Sequence, residues 1–378
     1  MRTEQILTGV APSRGTRTVS ERAESRAATS ALIAFVAVAV CCVAMMWGQR
    51  LPLAGAGSVG TSAAWTTAVA TGFAVVFASV AARRSGHAAW RQDLPKAKRA
   101  VDLVAIVAAV AALSALAIEA VAHLFQEAFV GLTLDPLGGG ALAGAAAAAL
   151  TYFASVFGSR VTTRGLALLA TSTLFVSTMA SMLTATDARW WELHFSQLGN
   201  LSGGSAAVFN LGLILAGLVV VAAANYAGRD VWRGVHLHRA DAELSDDPTE
   251  ALTADDPERR IARRARTATG LFIAIGVLLC VTGLVHDAVN TAVHVGAASG
   301  MVVMFGALAV FALVALPGFP NGFRTLTVGV LIGILVAILL WIPIGYYNLT
   351  GVEFIAAGLI FAWFILFTRT LSAYAGRG

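Results

Sequence analysis

Ten blocks of apolar residues, each eighteen residues or longer, set the terms on which this chain can fold. They run at about 31–48, 63–82, 101–124, 139–158, 164–184, 205–226, 268–286, 293–316, 324–345 and 352–370. At 1.5 Å per residue, a helix of that length crosses a hydrocarbon core of roughly 30 Å. The chain is 58% hydrophobic and 12% charged, with a mean hydropathy of +0.77, whereas a soluble domain has about a quarter charged residues. A water-soluble fold cannot hide so much apolar surface. The expected fold is an all-α integral membrane protein of about ten transmembrane helices.

Basic residues collect in alternate connections. With the N-terminal tail inside, only Arg50 and Arg189 of the 26 lysines and arginines fall on the outer side. Positive charge on cytoplasmic loops is the ordinary bias, so both termini are expected in the cytoplasm of a multi-pass plasma-membrane protein. A missed or extra span would invert every later loop and spoil the alternation. The Ala- and Arg-rich composition suggests a bacterial source.

Organisation follows from the blocks. Residues 1–30 are polar, hold Arg2, Arg14, Arg17, Arg22 and Arg26, and read as a disordered cytoplasmic tail. The first apolar block lacks a small-residue cleavage site, so a retained helix is expected. Residues 31–158 form a four-helix N-terminal part, 164–226 hold helices five and six, and 268–370 hold helices seven to ten. Between them, 227–267 is basic, then acidic, then basic. It lacks the glycine and terminal glutamate of a calcium loop and reads as a solvated cytoplasmic linker whose basic ends meet anionic lipid.

Several classes drop out. Cys41, Cys42 and Cys280 lie in apolar blocks and match neither a zinc spacing nor a disulfide framework. The net charge of +5 is spread between spans, so no nucleic-acid partner is implied. No phosphate-binding loop of an ATP-driven machine occurs; the inverted repeats expected of a secondary carrier are not seen either, which weighs against a carrier without removing it. Membrane lipids are the expected partners. Gly140 with Gly144, Gly296 with Gly300, and Gly329 with Gly333 make small-x-x-x-small pairs for packing within the chain, in a homo-oligomer or with a membrane partner. Trp47, Trp65, Trp190, Trp191 and Trp341 suit an aromatic belt at the outer ends of spans.

Polar residues gather on the expected outer half: Glu119, Glu127, Asp135, Asp187, Glu192, Asp287 and Glu353, with His123, His194, His286 and His294. Ionisable groups in and beside spans usually have a use. Glu119, His123 and Glu127 stand at i, i+4 and i+8 on one helical stripe, and His286, Asn290 and His294 repeat the spacing. If both stripes face inward, they form one outward-facing pocket with His194, Ser196, Asn210 and Asp287. Imidazole with carboxylate is a zinc donor set, which nominates His123, His194, His286, His294, Glu119 and Asp287 as ligands and an activated water as nucleophile. No HExxH spacing supports this. Ser196 and His194, two residues apart, point to different sides of a helix and make a poor nucleophile and base.

The run SQLGN, then VFNLGLILAGL, then GLVHDAVNTAVHVGAASG resembles the bacterial membrane family catalogued as domain of unknown function 998. The resemblance covers residues 164–370 and marks Ser196, Leu198, Gly199, Asn210, Asp287 and His294 as family-type positions. His286 stands where a proline often precedes the aspartate, and the long charged insert departs from the family pattern. A looser similarity to membrane proteins of the Frag1 type implies a lipid-linked role. Three functions remain open: an envelope accessory, sensor or lipid-binding protein; a metal-dependent lipid or ester hydrolase at the outer leaflet; and a carrier of a small solute or lipid.

Overall fold

A computed structural model of the chain describes residues 19–84, 90–91, 94–201, 203–244 and 257–376. Its helices are α1 (Val19–Met45), α2 (Val59–Arg84), α3 (Lys96–Ala128), α4 (Pro136–Ser159), α5 (Thr163–Leu183), α6 (Gln197–Asn200), α7 (Gly204–Leu244), α8 (Pro257–Leu284), α9 (Thr291–Ala315), α10 (Asn321–Trp341) and α11 (Leu349–Tyr374). All but the four-residue α6 are long and apolar enough to cross a membrane, giving ten such helices among the described residues. They coincide with the ten apolar blocks. Two short strands, β1 (Leu51–Pro52) and β2 (Thr133–Leu134), pair antiparallel between α1 and α4.

Helix starts are fixed by side chains that take up the free amides of the first turn. Asp135 accepts from Leu137 and Gly138, with Pro136 in the first turn. Thr162 accepts from Gly165, Asn290 from Val293 and Asn348 from Gly351. The bond from Gly138, seconded by Leu137, holds the Asp135 carboxyl below the usual carboxylate range. Its contribution is therefore complete above about pH 4 and is lost as pH falls through the lowered folded value. Asp135→Ala is expected to lower the protection of the Leu137 and Gly138 amides, measured as exchange relative to the intrinsic rate at neutral pH, and acidification of the parent protein to lower that protection relative to the intrinsic rate at the acid pH.

The helices pack in two groups. In the first, α1 and α2 lie on α4, and α2 lies on α3; in the second, α7 packs on α5 and α8, α8 on α9, and α10 on α11. α3 joins the groups by lying on α5 and α7, while α11 folds back onto the same two helices. At one end of the bundle, Ser79 near the end of α2 donates to Gly158 of α4, and Thr163 at the start of α5 donates to Asp230 of α7. This basic end carries Arg83, Arg91, Arg229 and Arg264. At the other, the loop end, Gln126 of α3 accepts from the amides of Leu53 and Ala54.

The core of the second group is aromatic. Trp363 and Phe367 stack with centroids 4.8 Å apart, Phe305 and Phe323 close on Trp363, and the indole N–H donates to Thr327 at 2.9 Å. A buried indole needs such a partner. Glycines allow a close backbone approach between α7 and α8. A Cβ at Gly217 would stand 2.5 Å from Gly276 O, and one at Gly276 would stand 2.6 Å from Gly217 O.

The linker expectation needs correction. α7 runs on to Leu244 and α8 begins at Pro257, so most of 227–267 is helix; residues 245–256 lie outside the described residues. Ala227, Val231 and Val235 are buried at the i, i+4 spacing of a packed helical face, and His236 meets Glu258 at 3.4 Å. With 41 residues, α7 is about 60 Å long and outruns the bilayer. The tail expectation also changes: helix begins at Val19 and Ala27 is buried, while 1–18 lie outside the described residues. Of the glycine pairs, Gly140 and Gly144 pack on α1 through Val43, Ala39 and Phe35, whereas Gly296 and Gly329 meet nothing within 4 Å. Trp47, Trp65 and Trp191 are exposed, as belt residues are; Trp190 instead turns inward against Phe195.

Candidate functional site

The connection between α5 and α7 is folded down onto the loop end and bonded on three sides. Leu198, fully buried, anchors it in an apolar nest with Phe209, Leu213, Ala216 and Leu279. Phe195 N–H donates to Glu353 of α11 at 2.7 Å, and Asn348 donates to Trp191 O at 2.8 Å. Asn200 accepts from Ala288 N–H in the α8–α9 turn, and Asn210 of α7 donates to Gly199 O, both at 3.0 Å.

At the centre stands His294, in the first turn of α9 and 3% exposed. Its Nδ1 lies 2.9 Å from Val285 O and its Nε2 2.7 Å from Ser196 Oγ. A carbonyl oxygen only accepts, so Nδ1 carries the proton and donates to Val285. In the neutral ring, Nε2 then accepts from the Ser196 hydroxyl. His194 approaches Asp287 at 3.8 Å, both half-buried. Ser196, Leu198, Gly199, Asn210, Asp287 and His294 therefore meet at one place, although 98 residues separate Ser196 from its histidine.

A serine bonded to an imidazole resembles a nucleophile with its base, but acyl transfer also needs free donors for the oxyanion. The amides next to Ser196 are already engaged. Gln197 N–H donates to His194 O, Leu198 N–H to Phe195 O and Gly199 N–H to Ser196 O, each at 3.0 Å. Chemically, the arrangement is a closed clasp: buried polar groups satisfied by one another, as buried polar groups generally are. Gly199 is required where the clasp meets α7, since a Cβ there would stand 2.5 Å from Asn210 Oδ1 and 3.2 Å from Phe209. Gly199→Ala is expected to break the Asn210 bond and lower stability by about 1–3 kcal/mol, read from thermal unfolding in detergent.

The α3 stripe does not belong to this site. Glu119 is half-buried, but His123 and Glu127 are exposed, which corrects the expectation that they face inward. The packed face of α3 runs through Ser114, Ile118 and Ala122 to Gln126. Residues 119, 123 and 127 follow one position later and are turned about 100° away. The 33 residues of α3 span about 50 Å, longer than a hydrocarbon core of roughly 30 Å, so His123 and Glu127 in its last two turns need not meet lipid to be exposed. α3 lies on α2, α5 and α7, and α9 on α8 and α10, so equal spacing on two helices did not mean proximity.

Asn290 serves as the N-cap of α9, and the carbonyl of His286 accepts from Val289 and Asn290 in the α8–α9 turn. Among the described residues, no three His, Cys, Asp or Glu side chains are grouped so as to hold a metal ion. Sequence reasoning missed Glu353, Asn200 and Asn348 as members of the network. Glu353 offered a signal, being a carboxylate just inside the last apolar block. Comparison with known proteins returns no matching family model, no matching curated protein and no matching solved structure.

Proposed function

We propose that the chain is a plasma-membrane protein with both termini in the cytoplasm, which acts without catalysis as an envelope accessory, sensor or lipid-binding protein through its external loop end. The observation that carries this reading is the closure of the Ser196–His294 clasp: both ring nitrogens are engaged, and so are the amides around the serine. Trp191, Leu193 and Phe354 are exposed beside it, a composition suited to the outer headgroup layer, where amphipathic and apolar side chains anchor.

A second reading, an outer-leaflet ester hydrolase with Ser196 as nucleophile, draws on the 2.7 Å bond to His294. A serine-directed fluorophosphonate, applied to the purified full-length protein in lipid nanodiscs, separates the two. No adduct at Ser196 is expected. Stoichiometric labelling at Ser196 that disappears in His294→Ala would establish the hydrolase.

Orientation is tested with Thr249→Cys in a background with the three native cysteines replaced by alanine. A membrane-impermeant maleimide should leave that cysteine unlabelled in intact cells and label it after lysis. Labelling in intact cells would invert the topology.

A further inference from the structure

We propose that the basic end of the bundle holds a binding site for a phosphate group, built around the buried guanidinium of Arg91. The sequence returns from α2 to α3 through Trp90 and Arg91, and these two residues interleave with Tyr226 and Arg229 in the middle of α7. Trp90 meets Tyr226 edge-on with centroids 4.9 Å apart. Arg229 lies over Trp90 at 4.7 Å, and Arg91 over Tyr226 at 5.7 Å. The result is a layered wall, Arg229 on Trp90 and Arg91 on Tyr226, that fixes the direction of both guanidinium groups.

Three of the side chains here, Arg91, Arg83 and Tyr226, hold donors with no acceptor among the described residues. Arg91 is only 4% exposed, and its Nε and Nη2 have no hydrogen-bond partner among the described residues; nor do Nε of Arg83 and Oη of Tyr226. Like charges crowd together here, since Arg91 and Arg99 act on Arg83, while Arg83, Arg91 and Arg229 act on Tyr226. Asp102 is the carboxylate near enough to act on Tyr226, and it bonds Lys98 through one oxygen at 3.2 Å. Arg91 acts on it through space and its second oxygen has no hydrogen-bond partner among the described residues, but its ion-pair contact among them is with Lys98.

A buried unpaired guanidinium is costly, and what relieves it is an anion with several acceptor oxygens. A phosphate accepts the fork of Arg91 in bidentate fashion and has oxygens left for Arg83 and Tyr226. Arg83 ends one span and Arg99 lies in the first turn of the next, which begins at Lys96, an arrangement that suits headgroup depth. The phosphate of an anionic lipid and a free or soluble phosphate present the same chemistry to it. The inference is independent of the function proposed for the opposite end.

The test uses full-length protein purified in maltoside, which contains no phosphate. Thermal unfolding is followed against inorganic phosphate, with chloride at matched ionic strength as control, and separately against phosphatidylglycerol added to the micelles. Saturable stabilisation by at least one of the two is expected. Stabilisation by phosphatidylglycerol alone identifies a lipid headgroup, and stabilisation by inorganic phosphate identifies a soluble ligand. Arg91→Gln should weaken the apparent affinity by about tenfold or more, the loss of one charged hydrogen-bonded contact. Should Arg91→Gln fail to fold, Arg99→Gln, half-buried at the rim, takes its place and should also bind more weakly. No stabilisation by either ligand, stabilisation equalled by chloride, or a folded variant with unchanged affinity would each overturn the proposal.

Discussion

His294→Ala is expected to lower stability by about 2–4 kcal/mol, because it deletes two buried hydrogen bonds and leaves Val285 O and Ser196 Oγ without their partner. Ser196→Ala removes one of the two bonds and should cost about 1 kcal/mol. The two changes share that bond, so the double variant should be more stable than the sum of the single losses implies. Unfolding of the four proteins under one detergent condition measures the coupling. Strict additivity would mean that the 2.7 Å contact contributes nothing.

A larger side chain at Gly276 should be more damaging still. Its Cβ would lie 2.6 Å from Gly217 O, 2.7 Å from Val221 Cγ2 and 2.9 Å from Val221 N, and two of these three are backbone atoms that cannot swing aside. Gly276→Leu is therefore expected to cost more than about 3 kcal/mol, seen as loss of monodisperse protein in size exclusion. Gly296→Leu and Gly329→Leu, where nothing lies within 4 Å, should stay within about 0.5 kcal/mol of the parent. A large loss at Gly296 would instead reveal a neighbouring helix seated on that face.

The spans were legible because the bilayer imposes one simple demand, about twenty apolar residues in a row, and each block met it. The helical continuation of α7 was legible too, but in a weaker pattern. Ala227, Val231 and Val235 carry an i, i+4 stripe through residues that composition alone assigns to solvent. Charge on the opposite face hid it. The site was legible in its members and not in its pairs: Ser196, Asn210, Asp287 and His294 were candidates, yet Ser196 was weighed against His194 two residues away. Its partner lies on α9. Contacts at separations of 98 and 158 residues leave no local periodicity to read. Arg91, buried against Tyr226 by the turn of a loop, gave no sequence signal beyond its neighbouring tryptophan.

Hydrogen exchange in nanodiscs addresses the clasp most directly. Free amides exchange in seconds or less, whereas amides bonded in a stable element open only with that element. In the parent protein, Phe195, Gln197, Leu198, Gly199 and Ala288 should be protected together, because each donates within the network. His294→Ala should release Gln197, Leu198 and Gly199 while leaving the amides of α4 unchanged. If these loop amides exchange freely in the parent protein, or are equally protected without His294, then the Ser196–His294 bond does not close the loop end.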